Sequence, residues 1–159
     1  MKETHHKNTL FTAFITLAFF ACSEPSEFNQ RLEVNPAAWA YADTLDFRFT
    51  ITDTAARYNL YFDVMHVDTF PWQNLYTRLH TRFPDGKRLS KPVSFDLFNS
   101  RGESNGSCSG RRCTVQTVLQ ENTRFNLPGE YVFTVEQFMR RDSIPGIFAV
   151  EFTVQKRAQ

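Results

Sequence analysis

From Leu45 to the C-terminus the chain alternates apolar and polar residues with a period of two, the signature of strands with one buried face. Leu45, Phe47, Phe49 and Ile51 alternate with Asp46, Arg48 and Thr50. Leu60, Phe62 and Val64 alternate with Asn59, Tyr61 and Asp63. Leu75, Leu79 and Phe83 fall on one face and Arg78, His80 and Arg82 on the other. Val93, Phe95 and Leu97 continue the pattern, followed by Tyr131, Phe133 and Val135, and then by Phe148, Val150, Phe152 and Val154.

Turn chemistry separates these runs. Pro84-Asp85-Gly86 combines a preset φ, a local side-chain acceptor and a positive-φ residue, so it predicts a tight hairpin. Pro128-Gly129 and Pro145-Gly146 each introduce a strand. No stretch after the N-terminal segment carries a helical apolar stripe. The prediction is an all-β, antiparallel β-sandwich of about seven or eight strands, immunoglobulin-like or jelly-roll-like. The 17 phenylalanines suit a core between two sheets.

The N-terminus changes the picture of where such a domain works. Lys2 and Lys7 precede an apolar run from Leu10 to Phe20, broken by Thr12 and Thr16. The run is shorter than the ~20 residues that span a bilayer, and it has the flanks of a secretory h-region. It ends in Phe19-Phe20-Ala21-Cys22. A small residue before cysteine at this place is the pattern cut by the lipoprotein signal peptidase, with the Cys22 thiol as the lipidation site. The alternative is an ordinary signal peptide with an incidental cysteine. Residues 1–21 therefore read as a lipoprotein signal peptide, 22–37 as a lipidated N-terminus and tether, and 38–159 as the folded domain. Trp39 and Tyr41 are the first residues that look like packing residues.

Cleavage after Ala21 leaves 138 of the 159 residues, one domain's worth. Lys2, Lys7 and Glu3 leave with the signal, so 16 of the 18 basic and 16 of the 17 acidic residues remain and the mature chain is formally neutral. A nucleic-acid binder normally shows a basic patch or stripe, and this balance argues against one.

Candidate chemistry is sparse. Cys108-Ser-Gly-Arg-Arg-Cys113 closes a Gly/Ser/Arg-rich stretch over residues 99–113. In an exported chain two nearby cysteines usually pair, and a loop this short contributes about 2 kcal/mol in the chain-entropy description. A metal site or redox pair is the alternative, but two thiolates are too few for zinc. His66 lies between Asp63 and Asp68, yet Asp63 and His66 point to opposite faces of a strand, leaving a weak two-ligand set. A solvated strand edge is the simpler reading, and His80, between Arg78 and Arg82, reads as a surface residue. No nucleophile elbow, phosphate-binding glycine loop or zinc-protease helix is present. No catalytic residue, metal ligand or cofactor is expected.

The segment containing Phe70, Trp72 and Tyr76 is the most distinctive. Such rings beside a proline form either a partner or glycan contact, as Trp and Tyr often do, or a cap on the sandwich core with Asn74 ordering the turn.

This segment also carries a resemblance. Tyr58-Asn59-Leu60-Tyr61, Val64 and His66 lead into Phe70-Pro71-Trp72-Gln73-Asn74-Leu75-Tyr76 and Phe83-Pro84-Asp85-Gly86-Lys87. Further on come Phe125-Asn126-Leu127-Pro128-Gly129-Glu130-Tyr131-Val132-Phe133, Glu136-Gln137-Phe138-Met139-Arg140 and Ile144-Pro145-Gly146-Ile147. This ordered set, over most of residues 36–154, resembles the gliding-motility GldH lipoproteins. The resemblance implies a lipoprotein of Bacteroidetes-type bacteria, lipid-anchored in the outer membrane and facing the periplasm. It implies a non-enzymatic component of gliding motility and the linked type IX secretion machinery, with other envelope proteins of that machinery as partners. The Cys108/Cys113 pair is not part of the resemblance. The competing function class is a glycan-binding outer-membrane lipoprotein, which needs exposed, coplanar rings beside polar groups. A hydrolase with dispersed residues would need a deep pocket with convergent acid and base groups.

Overall fold

A computed structural model describes residues 26–158; the segment read as a signal peptide, residues 1–21, and the expected lipidation site Cys22 lie outside them. Eight strands of seven or more residues form the body: β1 (Ser26–Glu33), β3 (Leu45–Ile51), β4 (Tyr58–Val67), β5 (Asn74–Arg82), β6 (Arg88–Asp96), β8 (Arg112–Thr123), β9 (Gly129–Gln137) and β11 (Ile147–Lys156). Three short strands complete the order: β2 (Trp39–Ala40), β7 (Ser107–Ser109) and β10 (Ser143–Ile144).

All pairings are antiparallel. One sheet runs β1-β11-β4-β8-β7 and the other β3-β9-β5-β6, with β2 and β10 as a separate pair. The predicted alternation places the core. Phe47, Phe49 and Ile51 of β3, Phe62 and Val64 of β4, and Val150, Phe152 and Val154 of β11 are all buried. Their rings meet across the gap between the sheets: Phe133 stacks on Phe152 at 4.4 Å and Phe62 on Phe95 at 4.8 Å. Offset and edge-on aromatic pairs of this kind add to the burial of their area.

Two tyrosines tie loops to strands through their hydroxyls. Tyr131 donates to the Leu127 carbonyl (2.8 Å) and Tyr58 to that of Asp53 (2.7 Å). The first has the form of the tyrosine corner of immunoglobulin-type sandwiches. The Pro84–Gly86 hairpin joins β5 to β6, with Gly86 at φ +83°.

Three expectations need correction. Within the stretch read as tether, residues 26–33 form β1, which pairs with β11 and packs Phe28 against Phe49 at 5.5 Å. Phe148 does not share the buried face of Val150 and Phe152. A bulge between Ile147 and Ala149 inserts an extra residue, which inverts the alternation. Ile147 becomes fully buried, and Phe148 lies half-buried beneath the Arg112 guanidinium at 4.6 Å. Trp39 is fully buried, donating to the Asp43 carbonyl (2.8 Å), but Tyr41 is exposed.

Register defines two ends. Ser26 pairs with Gln155, Gln155 with Asn59, and Tyr58 with Thr123. In the second sheet Ile51 pairs with Gly129 and Arg82 with Val132. The Lys156–Asp53 ion pair (2.9 Å) and the Phe28–Phe49 contact join these sets. The near end thus holds the start of β1, the β5–β6 hairpin and the loop before β9. The far end holds the β4–β5 turn, the loop from Leu97 to Gly106 and the β7–β8 hairpin.

Candidate functional site

The β4–β5 turn at the far end places Phe70, Trp72 and Tyr76 in three different settings. Phe70 donates its backbone NH to Val67 (3.1 Å) and is only 5% exposed. Its ring caps the core beside His66, and Trp72 meets it nearly edge-on at 5.3 Å and 66°. Close packing there depends on Gly146, at φ +90°, where a Cβ would lie 2.8 Å from Val67 Cγ2 and 3.2 Å from Phe70 Cδ2. Trp72 is half-buried, with the Arg141 guanidinium 5.9 Å from its ring centre. Tyr76 is 51% exposed and stands on the outer face of β5. Phe70 and Trp72 therefore offer no coplanar face. Asn74, read as ordering the turn, instead bonds to Asp96 and Ser94 of β6.

Tyr76 leads to a cluster that the linear sequence did not reveal. Along β5 the outward residues are Tyr76, Arg78, His80 and Arg82, while Leu75, Thr77 and Leu79 are buried. Register brings Glu136 of β9 opposite Arg78. His80 Nε2 lies 2.9 Å from Glu136 Oε2, and Arg78 Nη1 lies 3.7 Å from Oε1. The Tyr41 hydroxyl also donates to Glu136. The Arg78 guanidinium covers the Phe138 ring at 3.9 Å, a cation–π contact.

Burial of Glu136 pushes its carboxyl pKa up, but the hydrogen bonds from Tyr41 and His80 and the charge of Arg78 outweigh it and hold the group below its usual range. The bond to Glu136, with some burial, raises the Tyr41 phenol. Tyr41 and Tyr76 are two of the four exposed large hydrophobic residues of the described chain. They sit on the same sheet face as an ordered cation and carboxylate. The outward alternation on β5 was legible, but the Glu136 partner, 56 residues from His80, was not.

The remaining candidates separate. His66 is fully buried in β4 between Cys113 and Ile147, not on a solvated edge. Its Nδ1 bonds the Val67 carbonyl (2.8 Å), Nε2 has no protein partner, and burial lowers its pKa. Asp63 faces outward beside Glu151, and burial raises its pKa. Asp68 is exposed and pairs with Arg111 at 3.3 Å. Among the described residues no three His, Cys, Asp or Glu side chains gather as a metal-binding group. Cys108 and Cys113 are disulfide-bonded across the β7–β8 hairpin, where they are register partners.

The sequence profile of the GldH lipoproteins matches residues 26–154, the span of the whole sandwich from β1 into β11. The chain belongs to the GldH lipoprotein family. A GldH homologue described as a gliding motility lipoprotein in Christiangramia forsetii is 22% identical over 150 residues, covering 90% of this chain and 91% of its own. The gliding motility lipoprotein GldH of Flavobacterium johnsoniae is also 22% identical, over 146 residues, covering 91% of this chain and 90% of its own. Among solved structures, dimeric latent PorU from Porphyromonas gingivalis aligns with 84% of this chain and 13% of its own. Its TM-score is 0.33 and its identity 14%, too low to support a shared fold or role. For a GldH-family chain, the outer face carrying Tyr41, Tyr76, Arg78 and Glu136 is the most developed candidate site.

Proposed function

We propose that this chain is a lipid-anchored, non-enzymatic component of the gliding motility and type IX secretion machinery. In this reading it is held in the outer membrane through Cys22, faces the periplasm and acts by binding another envelope protein. The names of its relatives support the gliding role, and the signal-like N-terminus supports the anchor. The observation that carries the interaction reading is the outer face of the four-stranded sheet, where two exposed tyrosines flank an ordered Arg78–Glu136 pair. Tyr and Arg are enriched among binding hot spots, and a rigid sheet presents them with little ordering cost. Glu136 is only 9% exposed and is held by His80, Arg78 and Tyr41, so its carboxylate is committed to side chains of this face and not presented to a substrate. Phe70 and Trp72 meet nearly edge-on, with Phe70 buried, which removes the ring geometry that favoured a glycan.

The test is crosslinking and pull-down of the intact lipoprotein from outer membranes, with Tyr76→Ala and Arg78→Ala in parallel. Recovery of motility or secretion proteins is expected to fall about tenfold in each variant, as for hot-spot residues. Undiminished recovery would overturn the assignment of this face. Retention on a glycan array without any protein partner would overturn the interaction reading itself. Cys22→Ser is expected to release the protein from the membrane fraction.

A further inference from the structure

The sandwich is not closed evenly. Between β6 of one sheet and β8 of the other, toward the near end, lies a cleft of about 650 Å³. Its walls include Phe49, Phe125, Tyr131 and Phe152, with Phe125 and Tyr131 edge-on at 4.9 Å. Ligand sites are typically ~300–1,000 Å³, largely apolar, with a few placed polar groups. The charged groups here are mainly cationic, Lys87, Lys91 and Arg124 against the single carboxylate Asp85, which pairs with Lys87 at 3.0 Å, and Thr81, Gln120, Thr123 and Asn126 add neutral polar groups. Arg124 also borders a neighbouring hollow of about 350 Å³ with Arg57 and Arg157. None of Lys91, Arg57, Arg124 and Arg157 has an ion-pair partner among the described residues. This basic, apolar-lined mouth lies at the end where β1 begins, four residues after Cys22.

We propose that this cleft takes one acyl chain of an anionic membrane lipid, whose charged head sits on Arg124, Arg57 and Arg157. The proposal rests on the lipid-anchor reading, because four residues of chain span at most ~14 Å and so hold this end close to the bilayer. Bilayer tails are as apolar as leucine, so moving a chain from bilayer to cleft yields little by itself. Selectivity therefore comes from the head group, and each basic side chain near an anionic surface changes binding roughly fivefold. The bound lipid pins the near end to the membrane and presents the tyrosine-bearing sheet face in a fixed orientation.

Leu89 and Val118 provide a matched pair of probes. Both are 45% exposed, but Leu89 lies at the cleft and Val118 does not line it. Benzoylphenylalanine is placed at either position in the full lipoprotein, photolysed in outer membranes, and the adducts are identified by mass spectrometry. The expected result is a phospholipid or other anionic-lipid adduct at 89 and little at 118. Arg124→Glu should lower it by more than the roughly fivefold expected for losing one cation, and Leu119→Trp, which fills the cleft, should abolish it. Three outcomes overturn the proposal: equal adducts at both positions, an adduct with the acyl group of Cys22 or with a protein, or none at 89. Circular dichroism of Leu119→Trp verifies its fold. Palmitate labelling, and its loss in Cys22→Ser, reads the anchor separately, and the adduct result decides the cleft whichever way that labelling falls.

Discussion

The far end of the sandwich is closed by packed side chains, whereas the near end opens between β6 and β8. At the far end Phe70 sits over the core, Gly146 lets the backbone approach it, and His66 is sealed without water access. At the near end Phe125 and Phe83 are only half-buried and line an open cleft, although both touch Tyr131. The same kinds of residue thus have different duties. An aromatic ring enclosed on every side stabilises the fold, and one with an open side retains surface for a ligand. The difference teaches that ring content alone does not locate a binding site; what stands over the ring does.

The largest expected effect tests that contrast directly. Phe70→Ala should cost about 3 kcal/mol, in the range for buried aromatic truncation. Phe125→Ala, at the cleft, should cost about half as much because its open side loses no packed contacts. Urea denaturation of both variants gives the comparison, and equal losses would mean that the cleft is closed in solution.

The glycines at the two ends give a smaller effect. Gly146→Ala meets both a positive φ and the Val67 and Phe70 side chains, so a loss of about 2 kcal/mol is expected from strain plus overpacking. Gly86→Ala in the near-end hairpin has nothing within 4 Å, leaving only the left-handed backbone penalty of about 1 kcal/mol. Melting temperatures that fall equally would contradict the tighter packing assigned to the far end.

The smallest effect is in pH dependence. Burial keeps the folded His66 pKa below the unfolded value of about 6.5. The unfolded chain then binds a proton that the folded chain does not, so stability falls as pH drops below that value toward the folded pKa. The contribution is fully present above it. Stability measured between pH 7 and 5 should slope downward in the native chain and less steeply in His66→Phe. An unchanged slope would mean that His66 is not held neutral.

Much of the fold was legible because its signals are local. Alternation along Leu45–Ile51 or Leu60–Val64 states which face is buried, and Pro84-Asp85-Gly86 states where the chain reverses, through residues that are neighbours in sequence. The ordered motifs from Tyr58 to Ile147 likewise carried the family. The rest required the third dimension. In β1, Gln30 interrupts the apolar series of Phe28, Leu32 and Val34, so only pairing with β11 makes that segment a strand. Phe148 changes face because a bulge inserts one residue, which composition does not record. Tyr41, Arg78, His80 and Glu136 come from distant segments, and only strand register assembles them. The separation of the sheet edges at β6 and β8 belongs to no single segment. Sequence by itself determined which residues seek burial, because that preference is a property of each side chain and its spacing. Tertiary structure decided which were covered and which charges met, because those depend on what the other sheet and neighbouring strands place against them.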